Sequence, residues 1–109
     1  MSIEIINLTK IKIEKKPLIK IAKKILAKKK SADLSIALLT KNEIKKLNKR
    51  FRKKDKPTDV LSFKETIGLG EIVICPALVK ENAKKFKISF KEELIRVLIH
   101  GLSYLISSS

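Results

Sequence analysis

The sequence predicts an α+β fold in which a small mixed four-stranded sheet is packed with helices. Three observations carry this reading. Short runs rich in β-branched residues and leucine alternate with longer stretches whose apolar residues recur at helical spacing. Two capping boxes, led by a threonine and a serine, mark where helices begin. The chain has 109 residues, 44% of them hydrophobic, which suits one folded domain with one core.

The elements follow in the order β-α-β-α-β-β-α-α. Residues 3–9, IEIINLT, are short and partly alternating and give a first strand. A helix follows Pro17, where Leu18, Ile21, Ala22, Ile25 and Leu26 recur at i, i+3, i+4, i+7 and i+8 while Lys20, Lys23, Lys24 and Lys28 fall mainly on other faces. A membrane-surface helix has the same pattern, but flanking strands that need a covering layer favour packing on a sheet. Residues 33–39 alternate with Leu34, Ile36 and Leu38 on one side and form a second strand. Thr40-Lys41-Asn42-Glu43 is a capping box that opens a second helix near Lys41, with Ile44, Leu47 and Phe51 directed inward. Pro57 disfavours helical geometry at Lys56, so residues 52–58 are expected as a loop. Residues 59–64 and 71–75 are the third and fourth strands, joined through Gly68-Leu69-Gly70. Pro76 starts a third helix that offers Ala77, Leu78 or Val79, Ala83 and Phe86 for burial. Ser89-Phe90-Lys91-Glu92 caps a fourth, running through Leu94, Val97, Leu98, Gly101, Leu102 and Leu105. Helical crossovers suggest parallel pairing for some strands, and the short link between the last two suits an antiparallel pair.

Charge narrows the partner. The net charge is +15, and residues 10–30 and 41–56 hold +9 and +7 of it, leaving −1 elsewhere. Such a field favours an anionic partner, and nucleic acid fits better than a membrane because aromatic anchors are few. A lysine-rich surface set by coding bias gives the same totals, and lysine outnumbers arginine 23 to 3. The single cysteine, Cys75, excludes an internal disulfide and cannot form a thiolate cage. It lies in an apolar run and reads as a buried strand thiol. The first residues lack the pattern of a signal peptide, and no stretch approaches 18 unbroken apolar residues; the expected location is cytoplasmic.

Arg96, His100 and Tyr104 are spaced by four and share one stripe of the last helix. A histidine followed four residues later by a second ligand can grip a metal, but here the second position is tyrosine. A lone histidine on an apolar helix also reads as a core residue bonded to backbone.

The stretch from Leu47 to Phe63 (LNKRFRKKDKPTDVLSF), then Gly70 to Cys75 (GEIVIC), then Arg96 to Ile106 (RVLIHGLSYLI) resembles the successive signatures of the YbeY family of bacterial rRNA maturation factors. The resemblance implies a zincin-like fold over residues 1–109, shortened at its C-terminal end. It also implies a single-strand-specific, zinc-dependent endoribonuclease acting on the 3′ end of 16S rRNA and in ribosome quality control, with rRNA and the small ribosomal subunit as partners. The family's zinc pattern is H-G-x-x-H-x-x-G-x-D-H. His100 and Gly101 match its first positions, whereas Tyr104 stands at the second ligand, Ser107 at the glycine and Ser109 at the aspartate, and the third ligand falls beyond the sequence. One imidazole cannot hold zinc as three do, and a neutral phenol is a poor ligand; zinc binding is expected to be weak or absent. Arg52 matches the family's basic residue near the scissile phosphate, and Arg50, Lys53, Lys54 and Lys56 around it would bind the RNA backbone. Asp55 and Asp59 are expected to order the loop by turn hydrogen bonds. The alternative to an enzyme is a non-catalytic protein that binds ribosomal RNA.

Overall fold

The computed structural model describes residues 2–27, 33–65 and 68–107; Lys28 and the Ser109 position of the histidine pattern lie outside them. The expected element order is observed: β1 Ile3–Asn7, α1 Lys15–Ile25, β2 Leu34–Leu38, α2 Lys41–Arg52, β3 Val60–Lys64, β4 Gly70–Ile74, α3 Pro76–Phe86 and α4 Phe90–Ser107. The fold is α+β with a mixed four-stranded sheet. Helix α1 begins before Pro17, which lies in its first turn, where a missing N–H breaks no intrahelical bond.

The strands lie in the order β1-β2-β4-β3. Strands β1 and β2 are parallel, as are β2 and β4, while β3 pairs antiparallel with β4. The crossover through α2 therefore does not join parallel strands as expected. It carries the chain to the far edge, and β4 returns into the gap between β2 and β3. Burial explains the choice. Ile72, Val73 and Ile74 are all buried, so β4 needs cover on both faces, whereas the partly exposed Ser62 and the exposed Lys64 suit an edge.

One core was expected, but the sheet separates two clusters because its central strands are apolar on both faces. On one side Leu34, Ile36, Leu38, Ile72 and Ile74 meet Leu18, Ala22 and Leu26 from the α1 region and Leu94, Val97, Leu98, Leu102 and Leu105 of α4. On the other, Leu61, Val73 and Cys75 pack with Ile44 and Leu47 of α2. Two aromatic rings expected inside stay at the surface. Phe51 is more than half exposed, because Ile44 and Asn48 already fill the buried stripe of α2; its ring stands edge-on to Phe63 at 5.2 Å. Phe86 is likewise exposed, with Val79 and Ala83 making the contact of α3.

Both capping boxes form. In the first, the Glu43 backbone N–H donates to Thr40 Oγ1 at 3.3 Å and the Thr40 N–H donates to Glu43 Oε1 at 3.1 Å. In the second, Ser89 and Glu92 exchange the same pair of bonds at 3.0 and 3.3 Å. The Thr40 backbone and hydroxyl donors hold the Glu43 carboxyl below its ordinary value of 4.5. A depressed folded-state pKa stabilises the protein above the unfolded value, and that contribution is lost as pH falls through the folded one. Thr40→Ala is accordingly expected to cost about 1 kcal/mol at neutral pH, and the gap between the two proteins in urea melts should narrow as the pH is taken well below the ordinary carboxylate range.

Among the described residues no helix is long and apolar enough to cross a membrane.

Candidate active site

The site is built where α4 crosses the β3 edge of the sheet. Gly101 makes this crossing close: a Cβ there would sit 3.1 Å from both Ile72 Cγ2 and Ser62 Oγ. The Ser62 hydroxyl donates to the Gly101 carbonyl at 3.1 Å, tying strand to helix. His100, immediately before the glycine, is thereby held exposed beside β3 rather than in the core.

Arg52 reaches the same place from the opposite layer. It is the last residue of α2 and not part of a loop as expected, because Lys53 ends the helix in a left-handed conformation with φ 59°. No glycine marks that stop, which leaves the sequence silent about it. The following residues turn the chain around the sheet edge into β3. The Asn48 side chain fastens this loop by donating Nδ2–H to the Lys56 carbonyl at 2.8 Å. Asp55 pairs loosely with Lys45 and Lys49 at 4.0 and 3.9 Å instead of forming a turn bond, and Asp59 accepts from the Cys75 N–H through its backbone oxygen at 2.9 Å.

Arg52, Val60, Ser62, His100 and Tyr104 consequently line one recess of about 50 Å³. A second recess of about 130 Å³, lined by Asp59, Val60, Arg96, Val97 and His100, adjoins it through His100 and Val60. Larger hollows lie elsewhere on the surface; the chemistry of these side chains, not volume, marks this one. The small recess suits the oxygens of a phosphate, which the Arg52 guanidinium can meet with two N–H donors. Arg50, Lys53, Lys54 and Lys56 are all exposed on the last turn of α2 and the loop and do not line the recess. Arg50 lies with its guanidinium 5.3 Å from the Phe51 ring centre.

Arg96, one turn before His100, is fixed from below by a residue the sequence reading passed over. Glu93 is fully buried, and its oxygens accept from Arg96 Nε and Nη2 at 2.6 and 2.8 Å. These bonds, with the carboxylate charge, push the Arg96 guanidinium further up. The guanidinium also lies 5.6 Å from the centre of the Phe86 ring. The signal was present, since Glu93 sits four and eight residues before the buried Val97 and Gly101. Arg96→Ala would leave the Glu93 charge buried and unpaired. Because Arg96 itself is 59% exposed, the expected cost is about 2 kcal/mol, below the range for fully buried pairs. Adding Glu93→Gln should recover at least half of the shift in a urea melt; additive losses would refute the pairing.

Cys75 is fully buried at the junction of β4 and α3. Burial pushes its thiol up, and it takes no part in the recess.

The family model described as Endoribonuclease YbeY matches residues 4–107. The chain belongs to the YbeY family. It is 45% identical over 84 residues to Endoribonuclease YbeY of Thermotoga petrophila, covering 73% of this chain and 56% of that protein. It is 40% identical over 103 residues to the YbeY of a Sulfurihydrogenibium species, covering 86% and 68%. The solution structure of TM1509 from Thermotoga maritima superposes with a TM-score of 0.71 at 38% identity, over 94% of this chain and 71% of that one. This YbeY-family chain thus spans a little over half the length of the Thermotoga relative.

Proposed function

We propose that the chain is a YbeY-type single-strand-specific endoribonuclease that acts in the cytoplasm on the 3′ end of 16S rRNA and in quality control of the small ribosomal subunit. The convergence of Arg52 and His100 on one recess supports this reading: they lie 48 residues apart in sequence, in different layers, yet border the same phosphate-sized space. Arg52 clamps the scissile phosphate and offsets the negative charge that develops on its oxygens. Arg50, Lys53, Lys54 and Lys56 draw the RNA backbone toward it, so affinity should fall steeply with salt.

The family's zinc does not fit the residues described. No group of three or more His, Cys, Asp or Glu side chains able to hold a metal occurs among them. Around His100 the recess offers the hydroxyl oxygens of Ser62 and Tyr104 and the cationic Arg52, where a catalytic zinc requires three protein ligands. After incubation with excess zinc and dialysis, the chain is expected to retain well under one equivalent; retention near one would overturn this.

The same donor set favours a second reading, RNA binding without hydrolysis. Incubating a labelled single-stranded RNA with the chain, and measuring binding in parallel, separates the two. Endonucleolytic products support the enzyme. Binding without products supports the second reading, and neither binding nor cleavage would refute both.

A further inference from the structure

On the far side of α4 from His100, the N-terminal turns of α1 and α4 enclose a recess of about 170 Å³ that the reaction does not use. Its walls are Pro17, Leu18, Phe90 and Ile95, and Lys12, Glu14 and Lys91 stand around them. A cavity of about 150 Å³ with apolar walls accepts a benzene ring, so this half-open recess has room for a single six-membered ring, whereas part of a fused purine would stand outside it. The aromatic Phe90 offers a stacking surface, and lysines beside it offer positive charge for a phosphate. Glu14 supplies the one acceptor that a ring N–H or exocyclic amine needs.

The surface leading away from the recess has matching chemistry. Lys16, Lys20, Lys23 and Lys24 are exposed on the outer side of α1, and among the described residues none of them joins a carboxylate in a salt bridge. Lys16 and Lys20 are one turn apart, about 6 Å along the axis, a step that lets consecutive lysines follow a nucleic-acid backbone. Lys23 and Lys24 lie in the last turn of α1, where the helix dipole favours cations, but the lysines at its start do not serve the helix. The first turn of α1 has no acidic residue and its N-cap makes no side-chain bond, yet Lys15 and Lys16 stand there, where the helix dipole disfavours cations. A solvated lysine face explains the charge but not the ring-sized apolar recess at its end.

We propose that this recess and the outer lysines of α1 form a second RNA site, which seats one pyrimidine base of a single strand and holds the adjoining phosphates. Phe90 and His100 are separated by about 15 Å of helix rise, so one strand must run several nucleotides to occupy both places. The inference rests on RNA being the substrate and does not depend on cleavage.

Direct binding of fluorescent oligouridylate and oligoadenylate of four and of sixteen nucleotides tests it, using the full chain, Arg52→Ala, Phe90→Leu, and a variant carrying Lys16→Gln, Lys20→Gln and Lys23→Gln. Phe90→Leu keeps the wall apolar, and circular dichroism checks that each variant is folded. The expected result is a loss of roughly tenfold for the sixteen-nucleotide uridylate with Phe90→Leu, less than threefold for the adenylate, and a shallower salt dependence for the lysine variant with both long RNAs. Affinities unchanged by both α1–α4 variants while Arg52→Ala weakens binding would overturn the second site and leave the proposed function standing. Loss confined to the α1–α4 variants would sustain the site and refute the role of Arg52. Equal loss for the two base types would overturn the pyrimidine assignment, and binding of the lysine face to phosphatidylglycerol vesicles but not to RNA would overturn the proposal as a whole.

Discussion

Replacing Gly70 by alanine is expected to destabilise the protein by about 3–5 kcal/mol, a large share of the stability of a domain of this size. Gly70 opens β4 with φ 146°, a conformation that residues with a Cβ rarely adopt. A Cβ at this position would overlap the Phe63 carbonyl oxygen and lie 3.0 Å from Leu105 Cδ2 and 3.3 Å from Lys64 Cα. The first obstacle is backbone of the paired strand β3 and cannot move without breaking the hairpin; the second belongs to the core under α4. Conformational strain of about 1–3 kcal/mol and overpacking of similar size both apply. Gly68→Ala is the informative control. Its φ is 88°, but its Cβ would meet Asp33 no closer than 3.4 Å, an ordinary contact, so only the backbone cost of about 1–2 kcal/mol is expected. Urea melts of the two variants should differ accordingly, and equal midpoints would show that the close approach to Phe63 has no weight.

Arg52→Ala is expected to lower kcat/KM for cleavage of single-stranded RNA by about 10²–10³, the usual loss when one preorganised donor to a developing anion is removed. Stability should change little, because Arg52 is exposed at the end of its helix and the buried anchors of α2 are Ile44 and Asn48. Arg52→Lys keeps the charge but not the paired N–H geometry, so it should recover only a small part of the rate. If the chain binds RNA without cutting it, the same substitution should weaken binding of short oligonucleotides by about 1.5–3 kcal/mol, the worth of a hydrogen bond to a charged group. An unchanged rate and affinity would remove Arg52 from the site.

These two positions illustrate different degrees of legibility. Arg52 could be chosen from the sequence because it lies in a long, specific motif, although its helical setting could not: the helix stops on a left-handed lysine, and lysine carries no stop signal. Gly70 appeared as part of a turn and as the first residue of a family signature. Its actual constraint, a carbonyl on the neighbouring strand, exists only once β3 and β4 have paired. Glu93 was legible in principle from its place on the buried stripe of α4, but an acidic residue in the first turn of a helix is equally favourable when exposed, as a partner of the helix dipole, so its position alone does not signal burial.

By itself the sequence determined the eight elements and their order, since periodicity, proline placement and capping boxes are local properties of the chain. It determined the family as well, through motifs contiguous in sequence. Tertiary structure alone decided that β4 enters between β2 and β3, because a strand with buried residues on both faces needs cover on both sides. It also decided that the interior divides in two, that Phe51 and Phe86 remain outside, and that Arg52 and His100 border one recess. Each of those outcomes depends on which surfaces compete for burial across the sheet, and that competition is settled only when distant segments are packed together.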